Sequence, residues 1–187
     1  MAKHSIKEIN RKDKRSRLIQ SIVSIGSAII VLFLVLYNID RPIGEVIPEM
    51  GSRIHVDEGI DPGPYNSNPA TSGMHYETSL EAGFYEDNVY QYAEGYLVHS
   101  LEHGYVIFWY NCSILSENEC MELKTQIRSV MAEADNYKVI AFPWTKIDVP
   151  VAMTAWGRLL NMESFNADTA FSFIKQNRER SPEPAGH

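Results

Sequence analysis

The chain has 187 residues, of which 44% are hydrophobic and 22% are charged, and its formal net charge is −7 at pH 7. This length fits one domain with additional segments, and the acidic balance argues against binding of nucleic acid or anionic lipid headgroups. The charge is uneven, because seven of the 17 Lys and Arg residues but only two of the 24 Asp and Glu residues lie in the first 17 positions. We therefore expect the basic start and the acidic remainder to lie in different surroundings.

An uncharged segment, residues 18–39, follows the basic start. A helix of about 20 apolar residues can cross a bilayer, and Tyr37 lies where an interfacial aromatic residue is expected. A cleaved signal peptide is the alternative, but it has a shorter apolar core and a small-residue cleavage site. We predict a transmembrane helix that acts as an uncleaved signal anchor in membrane lipid, with residues 1–17 cytoplasmic and the rest of the chain extracytoplasmic. The protein would then be a single-pass cell membrane protein.

Two irregular segments follow the predicted anchor. We interpret residues 40–61 as a tether, because its prolines interrupt helix formation and its charges are mixed. Residues 60–77 are rich in Pro, Gly, Asn and Ser, which is typical of a loop with several turns. A long loop in a compact domain usually has a function, and Gly73 permits the tight backbone that would aim His75.

The motif His99-Ser-Leu-Glu102-His103-Gly104 contains two imidazoles four residues apart, with a carboxylate between them. Positions i and i+4 share a face on a helix and also on a strand. The two rings can therefore converge in either structure. Since an apolar run follows at once, we expect the histidines at the end of a central strand, on the rim of a sheet, with a sharp bend at Gly104.

The region after this motif predicts a strand, a helix and a second strand. Residues 105–110 are β-branched and aromatic throughout, which indicates a buried strand. Ser116 and Glu119 form a capping box that begins a helix running to about Ala134, and residues 138–142 are typical of another strand. This order predicts a right-handed βαβ unit.

Three further elements are predicted after the βαβ unit: a strand over residues 149–156, a helix over residues 159–162 and an amphipathic helix over residues 166–178. We place the extracytoplasmic domain at residues 62–179 and interpret residues 180–187 as a mobile tail. The predicted fold class is α+β: one N-terminal transmembrane helix, then a small sheet with a βαβ unit and flanking helices.

Cys112 and Cys120 are the only cysteines, and both lie on the predicted extracytoplasmic side. Cysteines outside the cytoplasm tend to form disulfides, and closing this small loop would contribute about 2–3 kcal/mol of stability. Thiolate metal ligation is the alternative, but the spacing matches no common zinc pattern. We predict a disulfide between them.

We expect His75 and His55 to join His99, His103 and Glu102 as ligands of one metal ion. Imidazole suits zinc, copper, nickel and iron, and several extracytoplasmic histidines without a free thiolate favour copper or zinc. The alternative is that the histidines only make hydrogen bonds within the protein. In that case the chain would be a non-catalytic accessory subunit of a membrane complex.

The pattern His-x-x-Glu-His also occurs in inverted zinc peptidases. In those enzymes it lies on a long amphipathic helix, whereas here Gly104 and a β-rich run follow directly. The sequence also contains no set of residues that would support serine or cysteine catalysis. We therefore expect a binding protein rather than an enzyme, and we expect neither His4 nor His187 to join the site.

The chain carries four motifs in order: Asn-Pro-Ala-Thr-Ser-Gly-Met-His75-Tyr, Leu-Val-His99-Ser-Leu-Glu102-His103-Gly, Thr-Ala-Trp156-Gly-Arg158 and a closing Pro-Glu-Pro. This combination resembles the family called domain of unknown function 3105, which is largely prokaryotic and often membrane-anchored. The resemblance covers about residues 50–185. It implies a histidine at the position of His55, and prolines where Ala70 and Met74 stand here, so that the loop would be less rigid. The resemblance narrows the fold and the site but implies no reaction.

Overall fold

The computed structural model describes residue 17, residues 19–33 and residues 43–185. The chain divides into two compact units, Met1–Arg41 and Pro42–His187. In the first unit, residues 19–33 are helical and their apolar side chains are mostly exposed. Over the described residues, no helix combines the length and the apolar character needed to cross a membrane. The predicted anchor, residues 18–39, lies partly outside the described residues, and its membrane insertion is not confirmed.

The second unit is a mixed α+β fold. Its strands and helices are, in chain order, β1 (Glu45–Val46), β2 (His55–Val56), β3 (His75–Tyr76), β4 (Gly83–Phe84), α1 (Ala93–Glu102), β5 (Val106–Tyr110), α2 (Glu117–Glu133), β6 (Val139–Pro143), β7 (Val151–Ala155), β8 (Arg158–Met162) and α3 (Ala167–Asn177). Six strands form one sheet in the order β1-β8-β7-β5-β6-β4, and β2 and β3 form a separate two-stranded sheet.

The predicted βαβ unit is present. β5 and β6 are parallel neighbours, with Val106 opposite Val139, and α2 connects them. The capping box at the start of α2 is also confirmed, because the Ser116 hydroxyl accepts from the Glu119 amide and the Glu119 carboxylate accepts from the Ser116 amide. Local sequence signals were therefore sufficient to predict where this unit lies in the chain.

Strand β5 divides the core into two apolar clusters, because successive side chains of a strand point to opposite faces. Phe108 and Tyr110 pack with α2 and α3 on one face. Ile107 and Trp109 pack with α1 on the other. All four side chains are at most 2% exposed. The second face therefore gives α1, which carries the histidine motif, a rigid apolar support.

The prediction of a helix over residues 159–162 is wrong, because these residues form β8. The turn at Trp156-Gly157 has a positive φ of 64° at Gly157, and it reverses the chain so that Ala155 pairs with Arg158 in an antiparallel ladder. A two-residue turn of this kind joins adjacent strands. Short apolar runs do not distinguish helix from strand by periodicity. The predicted strand over residues 149–156 is confirmed as β7.

The segment that we interpreted as a tether, residues 40–61, contributes β1 and β2 to the folded unit. β1 pairs with β8, and β2 pairs with β3. Close by, the Ile43 amide donates to Gln176 Oε1 at 2.9 Å, and Asn177 Nδ2 donates to the Ile43 carbonyl at 3.1 Å. The described part of this segment is therefore joined to the sheet and to α3.

The predicted disulfide is also present. The Sγ atoms of Cys112 and Cys120 lie 1.95 Å apart. The bond joins the short 3-10 helix that follows β5, Cys112–Ile114, to the first turn of α2. It therefore closes the connection within the βαβ unit, on the side of the sheet where α2 packs.

Candidate metal centre

The histidine motif forms the last turn of α1, with His103 as the C-cap residue. The expected position at the end of a strand is therefore wrong. The predicted bend is at Gly104, whose φ is +82° and whose amide donates to the Leu101 carbonyl at 2.9 Å. Glycine in this conformation commonly ends helices. It lets the chain leave α1 and enter β5 two residues later.

His99 and His103 lie on one face of this turn, as their spacing predicts. Their Nε2 atoms are 2.7 Å apart and their ring centroids 4.5 Å apart. Each residue is only 7% exposed. Two nitrogen lone pairs that face each other at this distance repel, and a cation bound by both Nε2 atoms would remove that repulsion.

Two further histidines come from the two-stranded sheet. In the parallel pair β2–β3, His55 lies directly opposite His75, and their ring centroids are 4.8 Å apart. Both rings also approach His99, with centroid distances of 5.2 and 5.1 Å. One potential ligand atom from each of these three residues lies within 4.8 Å of the other two. The structure thus brings together histidines that are far apart in sequence, as we predicted.

Gly95 and Tyr76 explain how β3 comes to lie against α1. A Cβ atom at Gly95 would lie only 2.5 Å from Cε2 of Tyr76, and the Tyr76 side chain is fully buried. Only glycine leaves room for the ring at this position. Because the ring packs here, the Tyr76 carbonyl reaches His99 Nδ1 at 2.7 Å.

Three of the imidazoles make the same kind of hydrogen bond through Nδ1. The acceptors are the carbonyl oxygens of Gly73 for His75, of Tyr76 for His99 and of Glu183 for His103, at 2.9, 2.7 and 3.1 Å. A carbonyl oxygen can only accept, so Nδ1 of each ring carries a proton. In the neutral ring Nε2 then presents its lone pair. Metal-binding histidines are typically held by this arrangement.

Glu102 lies in the same turn and is only 3% exposed. Its Oε2 is 3.0 Å from His75 Nε2, but the two atoms are not aligned for a hydrogen bond, and the buried His75 Nε2 has no hydrogen-bond partner among the described residues. Its Oε1 is 3.4 Å from Nη1 of Arg53, whose side chain is 46% exposed. A buried carboxylate beside an unpartnered nitrogen lone pair is an environment that a bound cation would stabilise.

The nitrogen separations can be compared with those around a metal ion. Zn–N bonds of about 2.0–2.1 Å in a tetrahedron place two nitrogens about 3.3 Å apart. The His99–His103 pair is shorter than this, at 2.7 Å, and the atoms of His55, His75 and His99 extend to 4.8 Å. The nitrogen separation that a tetrahedral zinc site requires lies between these two distances. Modest movements of the rings would therefore bring the donors of His55, His75 and His99 to bonding distance, and these donor types fit a transition-metal ion. This mutually close set does not include His103, which approaches it through His99, or Glu102, which approaches it through His75.

The electrostatic surroundings keep His99 neutral. Burial lowers the pKa of His99, the hydrogen bond to the Tyr76 carbonyl opposes this, and the nearby His103, His75 and His55 add smaller lowering effects, so that the pKa falls from 6.5 to about 4. A histidine binds metal only in its neutral form. His99 is therefore in the required protonation state at neutral pH.

Sequence reasoning missed the contribution of the C-terminal segment. Part of the region that we interpreted as a mobile tail lies against the last turn of α1. The Glu183 amide donates to the Glu102 carbonyl at 3.1 Å, and the Glu179 amide donates to the Gly104 carbonyl at 2.9 Å. Lys138 donates to the Pro184 carbonyl. The closing Pro-Glu-Pro was the one sequence signal for this role. His4 and His187 lie outside the described residues.

The chain matches a known protein family over most of its length. The family described as protein of unknown function (DUF3105) matches residues 55–187, a span that begins at His55 and includes every candidate ligand. No curated protein and no solved structure matches the chain. The family description itself names no reaction and no ligand.

Proposed function

The chain belongs to this family of unknown function, DUF3105, and we propose that it binds one zinc or copper ion through His75, His99, His103 and His55. The observation that carries the proposal is the shared orientation of three imidazoles. Each directs its Nδ1 proton to a backbone carbonyl, which leaves the Nε2 lone pairs for an ion. Glu102, which is buried beside His75, supplies negative charge and a further potential oxygen ligand.

The donor types favour zinc or copper. Imidazole nitrogen suits both ions, whereas magnesium and calcium prefer an all-oxygen set. The only two cysteines are joined to each other, and so neither provides a thiolate. The ion would neutralise the Glu102 carboxylate and take up the lone pair of the buried His75 Nε2, which has no hydrogen-bond partner among the residues described.

We also propose that the metal-binding unit is extracytoplasmic and anchored by residues 18–39. The disulfide supports an oxidising compartment, and the basic residues before the uncharged segment support a cytoplasmic N-terminus. Protease treatment of intact cells and of inverted membrane vesicles tests this orientation. Degradation of the domain in the intact cells alone would support it, and degradation in the inverted vesicles alone would contradict it.

Elemental analysis of the full-length chain tests metal binding. Protein purified from its own membrane, or loaded with Zn²⁺ or Cu²⁺ and then desalted, should carry about one ion per chain. The double variant His99→Ala/His103→Ala should carry no more than a metal-free control. A His4→Ala/His187→Ala variant is the matched control and should retain the ion.

A wild-type chain that takes up neither ion would contradict the proposal. If such a metal-free chain also co-purified with a membrane complex, the histidines would be structural. The protein would then act as a non-catalytic accessory subunit of that complex.

A further inference from the structure

We propose that His55 is the exchange ligand of the metal centre, so that the ion enters and leaves past β2 while the other histidines remain in place. This inference rests on the proposed metal-binding function. It divides the four imidazoles into a retained set, His75, His99 and His103, and one replaceable donor. The division follows from three differences between His55 and the other rings.

The first difference is exposure. His75 is fully buried, and His99 and His103 are each 7% exposed. His55, by contrast, lies on the exposed side of the cluster. An incoming ion, or an incoming donor atom from another molecule, therefore meets the His55 side of the centre first.

The second difference is the support of each ring. The three buried rings are each held through Nδ1 by a backbone carbonyl. No residue in the described part of the chain hydrogen-bonds the His55 ring, which makes only ring contacts with His75 and His99. His55 can therefore rotate away without breaking a hydrogen bond, whereas each of the others would lose one.

The third difference is the attachment of the strand. β2 consists of two residues and pairs with two residues of β3, next to a long hydrogen bond of 3.4 Å from the His75 amide to the Ile54 carbonyl. The neighbouring Arg53 reaches Glu102 from a half-exposed position. β3, in contrast, is fixed to α1 by the buried ring of Tyr76. The outer wall of the centre is thus its most weakly attached part.

The exchange itself is a ligand substitution. The bond between the ion and the His55 nitrogen breaks, and a nitrogen donor of the acceptor molecule forms a bond to the ion in its place. His55 leaves as a neutral imidazole and the ion keeps its oxidation state, so that neither a proton nor an electron has to move. Further donors of the acceptor molecule then take over the bonds from the ion to His75, His99 and His103, and these three rings stay in position as the ion departs.

Transfer kinetics test the assignment. Full-length zinc-loaded protein is mixed with a chromogenic pyridylazo chelator, and the transfer of Zn²⁺ is followed by absorbance. His55→Ala should still bind about one Zn²⁺ per chain but release it at least about tenfold faster than wild type, because a coordination position is already open. His99→Gln should bind no stoichiometric zinc, and His4→Ala, the matched control, should behave as wild type.

Two outcomes would overturn the inference while leaving the proposed function intact. If His55→Ala lost zinc as completely as His99→Gln, His55 would belong to the retained set. If its release rate equalled that of wild type, His55 would not be on the exchange route. A wild-type chain that binds no zinc would instead refute the proposed function, and the inference with it. Circular dichroism would establish that each variant is folded.

Chemical labelling gives a second test, which does not depend on transfer of the ion to another molecule. Diethyl pyrocarbonate modifies accessible imidazoles, and mass spectrometry assigns the modified residues. In the metal-free full-length chain, His55 should react faster than His75, His99 and His103, and Zn²⁺ should reduce its labelling several-fold. His4 should serve as the internal control and remain unaffected by zinc. Faster labelling of His99 or His103 than of His55 would contradict the proposed route.

Discussion

The βαβ unit and the histidine cluster are stabilised in different ways. β5, α2 and β6 are held by continuous apolar burial and by a disulfide. The cluster is held by two-residue strands, single hydrogen bonds to backbone carbonyls and a C-terminal segment. Apolar burial is distributed over many contacts, whereas each hydrogen bond of the cluster positions one ring. The fold and the metal centre should therefore respond differently to substitution, to truncation and to a change of pH.

Trp109→Ala should affect both regions. The Trp109 side chain is fully buried in the cluster that supports α1, and its Nε1 donates to Thr154 Oγ1 at 2.7 Å. Replacing a buried tryptophan by alanine costs about 3–5 kcal/mol, and metal uptake should be lost together with the fold. Denaturant unfolding and elemental analysis measure the two effects. If the Trp109→Ala chain were unfolded but still carried stoichiometric zinc, the metal centre would not depend on this support.

The double variant Cys112→Ser/Cys120→Ser should affect the βαβ unit alone. Removing the disulfide should lower the free energy of unfolding by about 2–3 kcal/mol under oxidising conditions. Zinc stoichiometry should not change, since the disulfide lies on the α2 side of the sheet. Denaturant titrations of wild type and variant, each under oxidising and under reducing conditions, measure this effect on stability. Equal stability of wild type and variant under oxidising conditions would show that the bond contributes nothing.

Gly95→Ala should act mainly on the cluster. The added Cβ would meet the buried ring of Tyr76 at 2.5 Å, and such overpacking costs about 1–3 kcal/mol. Because this contact holds β3 against α1, zinc affinity should fall as well. Gly26→Ala, at a position where an added Cβ meets nothing within 4 Å, is the control. If Gly95→Ala bound zinc with unchanged affinity, the contact between Gly95 and Tyr76 would not be needed for metal binding.

A chain that ends at Pro182 lacks the Glu183 carbonyl that accepts from His103 Nδ1. Loss of an outer hydrogen-bond partner of this kind typically weakens metal binding by about 10–100-fold, and we expect that range here with little change in unfolding temperature. A chain that ends at Ala185 retains the acceptor and is the matched control. Competition titration with a chelator gives both affinities, and identical values would refute the role of the tail.

The metal-free chain should also show a pH dependence of its stability. Since burial lowers the pKa of His99 to about 4, the unfolded chain binds a proton at this residue below pH 6.5 while the folded chain does not. Stability should therefore fall as the pH decreases from about 6.5 to about 4. Denaturant titrations of wild type and His99→Gln at several pH values check this, with a shallower decrease expected in the variant. A steeper decrease of stability in His99→Gln than in wild type would show that protonation of His99 is not the cause.

Different parts of the molecule were predictable for different physical reasons. The βαβ unit was predictable because the run before Cys112 is apolar and β-branched, and because Ser116 and Glu119 form a local capping box. Convergence of His99 and His103 followed from their spacing alone. The type of element that carries them did not, because an i, i+4 pair shares a face on both helix and strand.

The remaining errors arise where local sequence carries no periodic signal. β2 and β3 contain two residues each, too few to display an alternation, so the strand role of His55 could not be predicted. The attachment of Glu183 to His103 joins positions 80 residues apart in sequence, and only the three-dimensional fold determines it. For the same reason, Arg53 was not identified as the partner of Glu102.

The opposition of His55 and His75 in a parallel strand pair has a mechanical consequence. An ion bound by both rings would cross-link the N-terminal portion of the folded unit to β3, where the backbone alone supplies only two paired residues. Once β1 has separated from β8 under a pulling force, occupancy of the centre should then determine the force at which β2 separates from β3.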